Sequence, residues 1–306
     1  MPRFDRVYRL LVGKPGQQGV QIEQPFRITF DIEKSTSEQP NPHKIRIYNL
    51  AANTRRAIEE PDLRCVLYAG YGEEDGPLLM AAGAITFAYT AFDGPDVFTE
   101  LEVRDGYIEI RDTAVSLGYG PGARASAIIR DVASQMGLSL IMEDDAPDRT
   151  WTHGFSFYGP ARQALHKAVA GAGLEWSIQN QQLQVIAKGG TTRRQAVVLA
   201  ADTGLIGYPE RTREGAREKA KVKDKTTGEA RQIVSANQQR DGWRVTSLLL
   251  PTVNAGDLVK MESRSVQGFF RVDGVRHVGD SAGGDWQTQL DLVDRYAPPE
   301  KTKKTK

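Results

Sequence analysis

The chain has 306 residues, 40 Lys and Arg against 39 Asp and Glu, a formal charge of +1, and one cysteine, Cys65. That length suggests two or three domains with room for real cores. The even charge offers no global argument for nucleic-acid or membrane binding, and a lone cysteine excludes an internal disulfide and suits folding in a reducing compartment.

The 30 Gly and 15 Pro fit a turn-rich β protein. The opening MPRFDRVYRL lacks the apolar stretch of a signal peptide, and no run approaches the roughly 20 apolar residues of a membrane span, so a soluble chain without stable membrane insertion is expected. Residues 1–117 read as β. A strand is predicted over Arg6–Val12, with a turn at Gly13–Gly19. Phe26, Ile28, Phe30 and Ile32 then alternate strictly, the pattern of a half-buried strand. Residues 44–49 form another strand, Ala52–Glu59 a short helix ended by Pro61, and 64–70, 83–91 and 97–104 three more strands. Residues 106–112, GYIEIRD, read as a further short strand.

The middle, 118–190, changes character. Ala125, Ile128, Ile129, Val132, Ala133 and Met136 recur at helical spacing, Gly137 stops the helix, and 138–142 is a strand. After a strand at 155–158, Gly159-Pro160 suits a helix start, Ala161 to Ala172 carry the apolar face, and Gly173 is the expected cap. Strands at 174–178 and 182–186 complete an αβ-αββ module, itself a possible internal pair. A linker is expected over 187–196. The second β region, 191–297, resumes at Val197–Leu199 and continues with strands at 245–250, 258–262, 269–277 and 286–293. It is broken by a charged segment, 213–241. From Arg211 to Asp241 there are nine Lys or Arg, five Asp or Glu, and no Phe, Tyr or Trp. A solvated loop or extended hairpin tip is expected there, ordering on a protein partner rather than on nucleic acid, which favours stacking aromatics. Residues 298–306 read as a disordered basic tail.

Two distant segments nearly repeat. Residues 94–105, GPDVFTELEVRD, and 283–294, GGDWQTQLDLVD, agree at five positions: Gly94/Gly283, Asp96/Asp285, Thr99/Thr288, Leu101/Leu290 and Asp105/Asp294. Both put turn residues before an alternating strand. Convergence of two hairpins would produce the same pattern; we read it as two related β-rich modules on one chain.

The residues offer few patterns that carry chemistry. His43, His153, His166 and His277 show no metal-ligand spacing, and no G-x-S-x-G elbow or triad stands out. His166 lies off its helix's apolar stripe and is expected to be solvated. Gly118–Gly122 lacks the pattern of a phosphate loop and reads as an inter-domain hinge. Glu143, Asp144 and Asp145 read as solvated charge. Cys65 is expected in a buried strand. Trp176 and Trp286 are expected as core or interface anchors, while Trp151 and Trp243 stand near loop edges. No catalytic residue, cofactor-binding residue, metal ligand or cofactor is nominated, and the chain is not expected to be an enzyme.

Three segments resemble the baseplate hub proteins of contractile-tailed bacteriophages (the tail-hub, late control protein D-like family). They are FDIEKSTSEQPNPHKIRIYNLAANTRRAIE (Phe30–Glu59), SFYGPARQALHKAVAGAGLEWSIQNQQLQVIAKGG (Ser156–Gly190), and DTGLIGYPERT (Asp202–Thr212) with LLLPTVNAGDLVKMESRSVQGFFRVDGVRHVGD (Leu248–Asp280). The resemblance covers most of the chain, its motifs are structural, and residues 213–241 are the unusual feature. It implies a mainly β fold with an inserted α+β module and two tube-type β-barrel or sandwich domains. It also implies a homotrimer whose six β modules form a pseudo-sixfold ring, adapting a sixfold tail tube protein to a threefold spike protein. Other baseplate proteins would be further partners, with assembly in the host cytoplasm and a final place in the virion. The second half of the α+β module also resembles the small ring-building domains of outer-membrane secretins. Two other functions stay open from the residues: a tail-associated cell-wall hydrolase and a ring-forming secretion adaptor.

Overall fold

The computed structural model describes residues 5–72, 76–143, 146–192, 196–214, 219–223, 230–234 and 240–294, with no side-chain description over 213–240. In chain order the elements begin β1 (Arg6–Gly13), β2 (Val20–Ile22), β3 (Ile28–Ser35), β4 (Pro42–Tyr48), α1 (Ala52–Ile58), β5 (Arg64–Tyr71), β6 (Gly76–Asp93) and β7 (Asp96–Arg104). The middle holds α2 (Tyr107–Asp112), β8 (Ala114–Tyr119), β9 (Ala123–Arg124), α3 (Ala125–Gln135), β10 (Ser139–Met142), β11 (Thr150–Trp151), β12 (Phe155–Pro160), α4 (Ala161–Val169), β13 (Leu174–Gln179) and β14 (Gln182–Ala187). The remainder is β15 (Val197–Ala200), β16 (Leu205–Glu214), β17 (Lys219–Lys223), β18 (Ala230–Val234), β19 (Arg240–Leu248), β20 (Leu258–Glu262), β21 (Gln267–Asp280) and β22 (Trp286–Asp294).

One large sheet runs through both β regions in the order β16-β19-β22-β21-β3-β4-β7-β6-β5-β1-β2, and β20 joins β21 to β15. The two halves meet where β21 pairs antiparallel with β3, Gly274 opposite Ser35 through Asp280 opposite Thr29. Alternation does what the sequence asks of it in β3, where Ile28, Phe30 and Ile32 enter the core. The first core draws on β1 to β7 and on Leu249 and Trp286 from the far end of the chain. A third core lies within the second β region, around Val245, Val259, Val272, Leu290 and Leu292.

The second core belongs to the α+β layer. The apolar stripes of α3 and α4 pack on Leu174, Trp176, Leu183 and Val185. β14 lies between a parallel β10 and an antiparallel β13. β8 pairs with β12 rather than with that sheet. Helix plus strand therefore occurs twice, as α3 with β10 and α4 with β13.

Several expectations are corrected. Residues 106–112 form no strand: Gly106 turns left-handed (φ 65°) and α2 follows, with the Ile110 amide donating to the Gly106 carbonyl at 3.0 Å. A helical turn separates the roles of adjacent residues. It buries Glu109 against the Arg64 guanidinium (2.7 Å) and lays Ile110 on the second core. Phe26 precedes β3 and stays exposed, although it continues the alternation. Helix α4 ends at Val169, before the left-handed Gly171 and Gly173, so Gly173 is not its cap. Gly118 is within β8 and Gly122 donates to the Trp151 carbonyl, so Gly118–Gly122 is a turn inside the α+β layer rather than a hinge. In the charged segment, β16 and β19 extend the hairpin, and β17 pairs antiparallel with β18. Of the two readings of 213–241, the extended hairpin fits the strands described there. Residues 298–306, the expected tail, lie outside the described residues, as do 144–145.

Candidate assembly interface

The near-repeat is a repeat of structure. β7 and β22 occupy the same place in two halves of the sheet that share one plan: β3-β4-β7-β6-β5-β1 in the first and β16-β19-β22-β21-β20-β15 in the second. Leu101 faces Ile45 on β4, and its counterpart Leu290 faces Val245 on β19. Both hairpins carry a register shift at the same step, between Ile85 and Phe87 opposite Val103 and Glu102, and between Val272 and Gly274 opposite Leu292 and Asp291. A bulge kinks and re-aims a strand, so matched bulges give matched curvature. Thr99 and Thr288 are both buried and bond across to the partner strand at 2.9 Å, to Thr90 and to His277. Even the exit from the preceding strand matches: Asn49 N–H donates to the Val97 carbonyl (2.7 Å) and Leu249 N–H to the Trp286 carbonyl (3.1 Å). The copies differ at the far edge, where β1 runs antiparallel to β5 but β15 runs parallel to β20.

The seam between the copies is closed by packing and by charge. Phe30 lies over Gly279, where an added Cβ would sit 2.2 Å from the ring, so only glycine fits. Trp286 meets Phe30 edge to face at 5.1 Å. Around them Arg276 makes a paired contact with Asp31 (2.8 and 2.6 Å), and Arg27 does the same with Asp280 (3.2 and 2.7 Å). These pairs are partly exposed and each contributes little stability; their geometry fixes the register.

A buried polar joint ties in the α+β layer. The Asp105 carboxylate accepts the Asn180 and Gln181 amides of the β13–β14 turn (2.6 and 3.1 Å). Gln179 and Gln184 donate to the Ala255 carbonyl, and Asn41 donates to the Ile178 carbonyl. Lys34 is buried and donates to Asn254 at 2.7 Å. Burial lifts the Asp105 carboxyl to about 7, against the pull of its two amide donors and Lys34. Burial and the nearby Lys34 hold His43 down to about 3 and His277 well below its ordinary value. The sequence singled out Asp105 as a repeated residue; that it anchors a third layer follows only from the fold.

The residues weighed for chemistry do not converge. Among the described residues no group of His, Cys, Asp and Glu is arranged to hold a metal ion. His43 and His277 are buried in the sheet, while exposed His166 faces the Glu38 carboxylate at 3.2 Å. Cys65 is buried, and burial pushes its thiol up to about 12. Trp176 and Trp286 are core residues, as expected. Trp151 packs into the second core under Arg149, and Trp243 is half-buried against the third core under Arg211. No helix among the described residues is long and apolar enough to cross a membrane.

No family model and no curated protein matches the sequence. Solved structures share its fold. The 43 kDa tail protein of prophage MuSo2 from Shewanella oneidensis superposes with a TM-score of 0.61 at 11% identity, over 94% of this chain and 96% of its own. A tail protein from Neisseria meningitidis MC58 gives 0.60 at 13% identity, over 94% and 96%. The E. coli c3393 protein, a component of the type VI secretion system with structural similarity to the T4 bacteriophage tail proteins gp27 and gp5, gives 0.56 at 11% identity, over 94% of this chain and 77% of that one. The fold is thus that of phage tail proteins and their secretion-system counterparts. It is the mainly β fold with an inserted α+β module that the hub resemblance implied.

Proposed function

We propose that the chain is a structural, non-enzymatic hub of a contractile phage tail. It works as a homotrimer in which two tube-type β modules per chain form a pseudo-sixfold ring. One face of the ring would meet the sixfold tail tube, the other a threefold spike, with other baseplate proteins around it. In this reading residues 1–117 hold the first module and 191–297 the second. Residues 118–190, entered through the strand Ala114–Tyr119, form the outer module. The protein would assemble in the host cytoplasm and end in the virion baseplate. The observation that carries the reading is the doubled strand order with matched bulges, joined edge to edge through β21 and β3. A contact surface must repeat as often as its partner's, and two like modules per chain let three chains present six.

Mass measurement in solution, followed by imaging of the oligomer end-on, tests it. A trimer with six similar lobes around one axis is expected; a chain that stays monomeric at all concentrations would sink the reading. A cell-wall zymogram separates it from the hydrolase alternative: clearing by this chain alone would favour an enzyme.

A further inference from the structure

We infer that the chain carries a template for its own assembly. The outer edge of β6, over Phe87–Asp93, receives β16 of a second copy in the antiparallel register that β21 and β3 already use within one chain. This rests on the ring reading above and names the surface that closes it.

The repeat maps each strand of the internal seam onto a counterpart. β21 maps onto β6 through the shared bulge, so Gly274 corresponds to Phe87 and Asp280 to Asp93. β3 maps onto β16, since Ile28 and Leu205 stand opposite the matched residues Ile47 and Ser247. Transferring the internal register puts Asp93 opposite Ile206 and Phe92 opposite the irregular stretch 207–209. Beyond the irregularity in β16 it puts Ala91 opposite Glu210 and Tyr89 opposite Thr212.

Three observations converge on these two edges. First, among the described residues neither edge is paired: β5 leaves β6 at Ala84, β16 pairs with β19 alone, and no backbone hydrogen bond from another element reaches either edge. A bare edge is a template for another chain. Second, both edges expose large apolar side chains, Phe87 at 56% and Phe92 at 78% on one, Ile206 at 43% and Tyr208 at 70% on the other. Third, the aromatic ring of the seam changes strand. Within the chain Phe30 of β3 fills the space over Gly279 of β21. In the transferred pairing Phe92 of β6 takes the place of Gly279, and the irregular stretch 207–209 of β16 stands where Phe30 does within the chain; Gly207 there has nothing within 4 Å of its Cβ position and leaves room for the ring. The ionic clamp is not repeated, because Arg276 corresponds to Tyr89. Because the two edges differ, the contact is head-to-tail, which builds a ring when the rotation closes. The eight strands from β16 to β6 would then continue from one copy into the next.

The test is a full-length Ala91→Cys/Glu210→Cys double variant, oxidised and run on a non-reducing gel, with sedimentation mass measured in parallel. Buried Cys65 does not compete. Covalent dimers and trimers are expected, with no product from either single variant. Asp93→Cys/Thr212→Cys, about four residues out of register and hence roughly 13 Å apart, should not cross-link. A trimer without in-register cross-links, or one that cross-links both pairs equally, overturns the edge pairing and leaves the ring. A strict monomer overturns both. Phe92→Asp gives an independent readout: at so exposed a site the single chain should melt unchanged while association weakens at least tenfold, and unaltered association would overturn the inference.

Discussion

The two hairpins, β6–β7 and β21–β22, share a bulge, a buried threonine and a buried leucine, yet their outer edges are finished differently. β21 continues beside β3, and its Gly279 lies under the Phe30 ring. The matching stretch of β6 carries exposed Phe92 in place of that glycine. The plan of a sheet is therefore set by features both copies keep, whereas what its edge accepts is set by a few residues in which they differ.

The largest way to break this comparison is at its most unlike pair, Trp286 and Val97. Trp286 is core and touches Phe30; Val97 is half-buried. Trp286→Asp should cost about 4 kcal/mol or more, through a lost aromatic and a buried unpaired charge, and Val97→Asp about 1 kcal/mol. Urea unfolding of the two variants measures this, and equal losses would show that the copies are more alike than their packing implies.

A smaller effect is expected at the seam. Gly279→Ala forces the Phe30 ring to move and should cost about 2 kcal/mol. Combining it with Phe30→Leu should give less than the sum of the two losses, because the residues share one space. Strict additivity would mean that the ring relaxes freely.

The smallest effect is one of pH. His277 stands where the first copy has Thr90, and in the fold its imidazole is held neutral by burial, with Lys34 and His43 nearby. A folded pKa below the unfolded value of 6.5 means that the unfolded chain binds the proton more readily. The stability His277 contributes is therefore present above about pH 6.5 and lost as pH falls below it. His277→Thr, which recreates the Thr90–Thr99 pair of the first copy, should leave a melting temperature that falls less steeply between pH 6.5 and 4. A slope equal to that of the parent would assign the acid sensitivity to His43 instead.

Much of this was readable in advance, for a physical reason. Ile28, Phe30 and Ile32 on alternate positions, or Ile128, Ile129 and Val132 at helical spacing, each announce one buried face, and a periodic pattern survives whatever it packs against. Thr99/Thr288 and Leu101/Leu290 were visible as a repeat because both copies bury the same side chains. Short segments misled. GYIEIRD alternates like a strand, but Glu109 is claimed by Arg64 and Ile110 by the second core, and only a helical turn serves both. The role of Asp105 was hidden because its donors, Asn180 and Gln181, lie far along the chain.

The amino-acid sequence alone determined the local periods, the turn positions and the doubling of a hairpin, because these depend on neighbours a few residues apart. Only the tertiary structure decided that β21 lies beside β3, that Trp286 enters the first core, and that, among the described residues, β6 and β16 are left with open edges. Those outcomes turn on contacts between residues more than a hundred positions apart, where nothing in the local pattern distinguishes a strand that will be paired from one that will be left at an edge.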